Sequence, residues 1–133
     1  MAIQFSVAVR NARLNAIWTT IGATAKMTLY TGSLPASCAT AASGTLLATL
    51  TLPATEMNTA SAGSATQAGG PWTGTASAAG TVGYFRVTDN AGTTCHMQGT
   101  VGQGSGDLSF DNNVLANSQN IQITSFTETD GNA

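Results

Sequence analysis

The sequence predicts a mainly β fold, an antiparallel sandwich or jelly roll of about seven or eight strands preceded by one N-terminal α-helix. Three observations predict it. After the first two dozen residues, short runs in which apolar and polar side chains alternate recur along the chain, the period of a strand with one buried face. Gly, Pro, Asn and Asp interrupt those runs at close intervals, as antiparallel strands with short connections require. Only the N-terminal segment carries helical periodicity. At 133 residues the chain has the size of one domain with its own core, so residues 1–133 read as a single β-sandwich domain with an N-terminal arm and a helix over about 6–22.

Ser6 is a favoured N-cap and Gly22 a favoured residue just past a helix end. Between them Val7, Leu14, Ile17, Trp18 and Ile21 fall on one side of a helical wheel. Arg10 lies inside that stripe and admits two readings. Its stem packs over Leu14 while its head reaches water, or Arg10 and Arg13, in a helix without acidic residues, meet carboxylates on a partner and so offset an unfavourable helix dipole. Ile3 and Phe5, ahead of the helix, serve either as a staple onto its first turn or as an arm that docks on another subunit.

Lys26 to Thr31 alternates like a strand, Ser33 to Gly44 is a loop containing Pro35 and Cys38, and Thr45 to Leu52 alternates again until Pro53. From Ala54 to Ala79 runs a long Ala, Ser, Thr and Gly segment with one short strand around Trp72 to Thr75. Trp72 is either a lid over the core edge or an exposed ring that contacts a partner. The centre of the pattern is a hairpin: Thr81 to Asp89 turns at Asn90-Ala91-Gly92 and returns as Thr93 to Val101. Pairing Asp89 with Thr93 sets Val87 against Cys95 and Phe85 against Met97, and it leaves Tyr84, Arg86, His96 and Gln98 on the other face. A turn at Gly102 to Gly106, a run at Asp107 to Asp111, a turn at Asn112-Asn113 and a strand from Asn120 to Thr127 complete the chain, with Glu128 to Ala133 as an exposed tail.

Charged residues make up 8% of the chain and the net charge is −2. Ala, Thr, Ser and Gly fill more than half of it. Such a surface carries little self-repulsion and favours assembly. Four basic residues, Arg10, Arg13, Lys26 and Arg86, cannot build a phosphate-tracking patch, so a nucleic-acid partner is not expected. No run approaches a membrane span, and the first residues lack the features of a secretory signal. A cytosolic folding compartment follows as the expectation, and there Cys38 and Cys95 are expected as free thiols, although they could pair.

Chemistry is sparse. His96 is the sole histidine, so any catalytic Ser-His or Cys-His pair must use it. One His and two Cys are too few for a zinc site. Asp107, Asp111 and Asn112-Asn113 lack the spacing of a calcium loop and read as turn formers. No phosphate loop, dinucleotide fingerprint or nucleophile elbow is present. The expectation is a protein without enzymatic activity, cofactor or metal.

Four stretches carry a resemblance: Arg10-Asn11-Ala12-Arg13-Leu14-Asn15-Ala16-Ile17, Leu29-Tyr30-Thr31-Gly32 with Pro35-Ala36, Gly74 to Gly80, and Ala91-Gly92-Thr93-Thr94-Cys95-His96-Met97-Gln98-Gly99. In this order and spacing the chain resembles small proteins of tailed bacteriophages, nearest in character to the jelly-roll cement, or head decoration, proteins. The resemblance implies a virion protein that binds the outer surface of the major capsid protein shell, as a dimer or trimer, after folding in the host cytoplasm. Ile3, Phe5, Arg10, Arg13 and Trp72 are the residues expected at partner contacts. The rival reading is a tail-tip or fibre-associated carbohydrate-binding module with Trp72 and Tyr84 as stacking platforms. It requires those rings to be exposed.

Overall fold

Ser6 and Gly22 bracket the helix in the computed structural model, which describes residues 3–132. Helix α1 spans Val7–Ile21; the Ser6 hydroxyl accepts a hydrogen bond from the Val9 amide, and Gly22, at φ 88°, donates its own amide to Trp18 O. Leu14, Trp18 and Ile21 are buried, while Val7 and Ile17 stay exposed. The helix therefore uses a narrower apolar stripe than the wheel offers.

Eleven short strands follow among the described residues: β1 Lys26–Tyr30, β2 Leu46–Thr51, β3 Ser64–Thr66, β4 Trp72–Thr75, β5 Gly80–Thr81, β6 Tyr84–Thr88, β7 Cys95–Gln103, β8 Leu108–Phe110, β9 Val114–Leu115, β10 Asn120–Ile123 and β11 Thr127–Thr129. The fold is mainly β with one helix, as expected, but the strands are more numerous and shorter. Five form one sheet in the order β2-β1-β6-β7-β8, and the rest pair as β10-β4, β11-β3 and β5-β9. One pairing departs from the antiparallel expectation: β8 runs parallel to β7, with Val101 beside Leu108. The glycine-rich turn lets the chain double back, since Gly104 and Gly106 both take positive φ.

The central hairpin forms, shifted by two residues from the expected register. Phe85 pairs with Gly99 and Val87 with Met97, and a bulge between Val87 and Thr88 brings Thr88 opposite Cys95. A shift of two preserves faces, so Phe85 and Val87 still point into the core. The turn sets the new register: the Asp89 carboxylate accepts hydrogen bonds from the amides of Thr93 at 2.9 Å and Thr94 at 3.4 Å. Those bonds, Thr93's first, hold the Asp89 carboxyl below its ordinary range against a smaller opposing effect of burial.

One face of the large sheet, with Met27, Leu29, Leu50, Phe85 and Val87, packs beneath the helix residues, Trp72, Ile121, Ile123 and Phe126. Aromatic rings fill the centre. Trp72 lies 6.1 Å from Trp18 and 5.6 Å from Phe126, and Phe85 meets Phe126 edge-on at 6.0 Å. The tail expected to be exposed is exposed or half-buried over residues 128–132, and it is fastened to the rest of the chain. Thr127–Thr129 pairs with Ser64–Thr66, and Phe5 N donates to Asn132 O at 2.6 Å, so the residues on either side of α1 and the C-terminal strand close on one another. Ala133 lies outside the described residues.

Candidate functional site

The residues expected at partner contacts divide into two groups. Ile3 is 71% exposed. Phe5 is half-buried and lies under the guanidinium of Arg13, 4.9 Å from its ring centroid, a cation–π contact within one subunit. Arg13 Nε pairs with Asp130 Oδ2 at 3.0 Å, and Arg10 Nη1 donates to Asp130 O at 3.0 Å. The carboxylate awaited on a partner is supplied by the chain's own C-terminal segment. Asn11 Oδ1 and Asn15 Oδ1 accept from the amides of Gly63 and Ala60, so this helix face is committed to holding the 58–66 segment.

Trp72 is 1% exposed and presents no ring to a partner. Its indole Nε1 donates to Ala68 O at 3.2 Å, which satisfies its polar edge inside the core. Tyr84, the other proposed stacking platform, is fully buried and stacks on Tyr30 with centroids 5.0 Å apart. Both platforms of the carbohydrate reading are thus internal.

Tyr84 and Arg86 lie on the sheet face opposite Phe85 and Val87, as the alternation predicts. That face is covered. Residues 31–45 arch over it as a strap whose neck is closed by Thr31 N donating to Thr45 O at 3.0 Å and Thr45 N donating to Thr31 Oγ1 at 2.8 Å. Side chains of the sheet grip the carbonyls of the strap. Tyr84 Oη donates to Ser43 O at 2.5 Å, Gln98 Nε2 to Pro35 O at 2.8 Å, and Arg86 Nη2 to Ser37 O at 3.3 Å and Thr40 O at 2.6 Å. A disulfide joins Cys38 of the strap to Cys95 of β7, with α-carbons 5.2 Å apart, inside the span such a bond needs. The free-thiol expectation is therefore corrected: two cysteines 57 residues apart in sequence are brought together by the strap.

The bulge beside Cys95 redistributes the hairpin's other candidates. Cys95 lines a cavity with Thr28, Tyr30 and Arg86 on the strap side, whereas His96 lines a shallow groove with Arg13, Ile17 and Ile21 on the helix side. His96 was expected beside Arg86 and is turned away from it. Among the described residues no hydrogen bond orients the imidazole, and no group of three His, Cys, Asp or Glu side chains could hold a metal ion. No helix is long and apolar enough to cross a membrane.

Glu56 and Glu128 are carboxylates that the sequence reading did not single out. Glu56 is buried and accepts from the Ala25 amide at 3.2 Å. Glu128 accepts from the Trp18 indole at 3.0 Å; burial lifts its carboxyl above the ordinary glutamate range, and the Trp18 bond only partly opposes that. No sequence signal marks either residue, because each is placed by contacts between distant segments. Compared with known protein families, with curated proteins and with solved structures, the chain matches none.

Proposed function

We propose that this chain is a cement, or head decoration, protein of a tailed bacteriophage. In this reading a jelly-roll module, as a dimer or trimer, binds the outside of the head shell and ties neighbouring major capsid proteins together. The observation that carries it is the distribution of exposed apolar side chains. Ile3, Val7, Val9 and Ile17, four of the seven large apolar residues left in water among the described residues, lie in the arm and helix. Val7 and Val9 face different sides of the helix, so in this reading the arm and helix offer a partner apolar contacts around the helix rather than one patch. The sequence resemblance gives that interface its partner.

Two further features support the reading. A surface poor in charge has few of the lysines and inward charges that keep chains apart. A disulfide persists in oxidising surroundings, which suits the exterior of a particle released from its cell. Many copies, each weakly held, would together resist internal pressure through multivalency, and a protein that binds only the assembled shell stabilises it by mass action.

Sedimentation with purified, expanded phage heads lacking the protein tests the proposal. Saturable binding at a fixed ratio to the major capsid protein is expected, and Ile17→Asp, at an exposed position, is expected to weaken it by roughly tenfold. Absence of bound copies at saturating protein would refute the cement role.

A further inference from the structure

Arg86 stands on the central strand β6, is only 6% exposed, and has no carboxylate partner. Among the described residues the one ion pair is Arg13 with Asp130. A guanidinium stays charged under all ordinary conditions and offers five N–H donors. Here Nη2 reaches two carbonyls of the strap, Ser37 O and Thr40 O, and Nε is buried with no partner at all. Carbonyl dipoles offset part of the cost of burying such a charge; an unpaired donor and an unneutralised cation leave the rest standing.

The same arginine lines a cavity of about 370 Å³ beneath the strap, whose walls include Thr28, Tyr30, Thr88 and the Cys38–Cys95 disulfide. Those walls hold no carboxylate; the Thr28 and Thr88 hydroxyls already donate to backbone carbonyls, whereas the Tyr30 hydroxyl makes no hydrogen bond among the described residues. We infer that this cavity is a binding site for a small free oxyanion of the carboxylate or phosphate class, held by the guanidinium and the Tyr30 hydroxyl. Both hydrogens of Nη2 are committed to the strap carbonyls, so the charge of the guanidinium and its remaining donors at Nη1 carry the anion, and such bonds are charge-assisted. The site is independent of the capsid reading: it lies on the strap side of the sheet, away from the exposed helix residues. The disulfide forms one of its walls, so the strap's closure and the shape of the site are one structural unit.

The test is a titration of ¹⁵N-labelled protein with sodium acetate and, separately, sodium phosphate, with sodium chloride holding the ionic strength constant. The side-chain Nε–H of Arg86, assigned through its own backbone, is the probe, since a buried donor exchanges slowly enough to be seen. A saturable shift of that signal, with a midpoint roughly in the millimolar range, is expected for at least one of the two ions, and its identity fixes the class. Arg86→Lys, which keeps the charge and loses the planar set of donors, is expected to weaken the midpoint by roughly tenfold. The wild-type titration decides even if that variant does not fold. Shifts that rise linearly, that chloride reproduces, or that saturate elsewhere while Arg86 Nε–H stays fixed would overturn the inference and leave a water-filled cavity in its place.

Discussion

Trp18 in the helix donates its indole N–H to Glu128 in the last strand at 3.0 Å, across 110 residues of sequence. That bond fastens α1 to β11, and it places a carboxylate where burial disfavours its charge. Because burial raises the folded-state pKa, the native protein binds more protons than the unfolded chain between the ordinary glutamate value and the raised one. Stability should therefore fall as pH rises through that window, and below it both states are protonated and the penalty vanishes. Glu128→Gln keeps an acceptor for Trp18 without the charge. It is expected to be more stable than the parent at neutral pH, by less than about 1 kcal/mol given the solvent that still reaches the group, and to lose that advantage in acid. Urea unfolding at neutral and acid pH checks both statements; a neutral-pH loss of stability in the variant would contradict them.

The disulfide closes a loop of 57 residues between strap and sheet. A cross-link of that span is worth about 4 kcal/mol in the chain-entropy account, a large share of a small domain's stability. Replacing both cysteines by serine, or reducing the protein, is expected to lower unfolding free energy by about 2–5 kcal/mol. Denaturant midpoints with and without reductant give the comparison, and an unchanged midpoint would mean that hydrogen bonds from Tyr84, Arg86 and Gln98 hold the strap alone.

Local chemistry was legible in the sequence, and distant closure was not. Ser6 and Gly22 mark the helix ends because capping is decided within a few residues. Phe85 and Val87 were sorted to the core face because strand alternation is local too. The register missed by two since the Asp89 carboxylate ties down Thr93 and Thr94 and lengthens the turn, and a two-residue shift leaves the alternation pattern unchanged. Arg86 and Tyr84 were placed together on the second face of the hairpin, but nothing in the hairpin announces that residues 31–45 fold over them. Glu128 and Asp130 read as tail because their partners Trp18 and Arg13 lie more than a hundred residues away.

Trp72 supplies a third prediction. Its ring packs between Trp18 and Phe126 in the centre of the core, and removing it leaves a cavity that those rigid neighbours cannot fill. Trp72→Ala is expected to cost about 3–5 kcal/mol, and Trp72→Phe less, since most of the ring contact remains. Chemical denaturation followed by circular dichroism, which does not depend on the indole removed, measures both. A loss below about 1 kcal/mol for the alanine variant would place Trp72 at a yielding edge.

Gly63 supplies the fourth, and it joins the helix to the segment that the sequence showed only as a loop. Its φ of +74° is a conformation that L side chains adopt at a cost. A β-carbon there would also collide with the Arg10 guanidinium. Arg10 cannot simply retreat, because it donates to Asp130 O at 3.0 Å, while the Gly63 amide donates to Asn11 Oδ1 at 2.8 Å and Gly63 O accepts from the Asp130 amide at 2.9 Å. Gly63→Ala therefore strains the backbone and pushes Arg10 off the C-terminal segment together, for an expected loss of about 2–4 kcal/mol. Gly63→Ala combined with Arg10→Ala removes the collision and leaves the strained φ, so its loss should be smaller than the sum of the two single losses. A double-mutant cycle measured by urea unfolding reads that coupling, and strict additivity would show that Arg10 and Gly63 do not constrain one another.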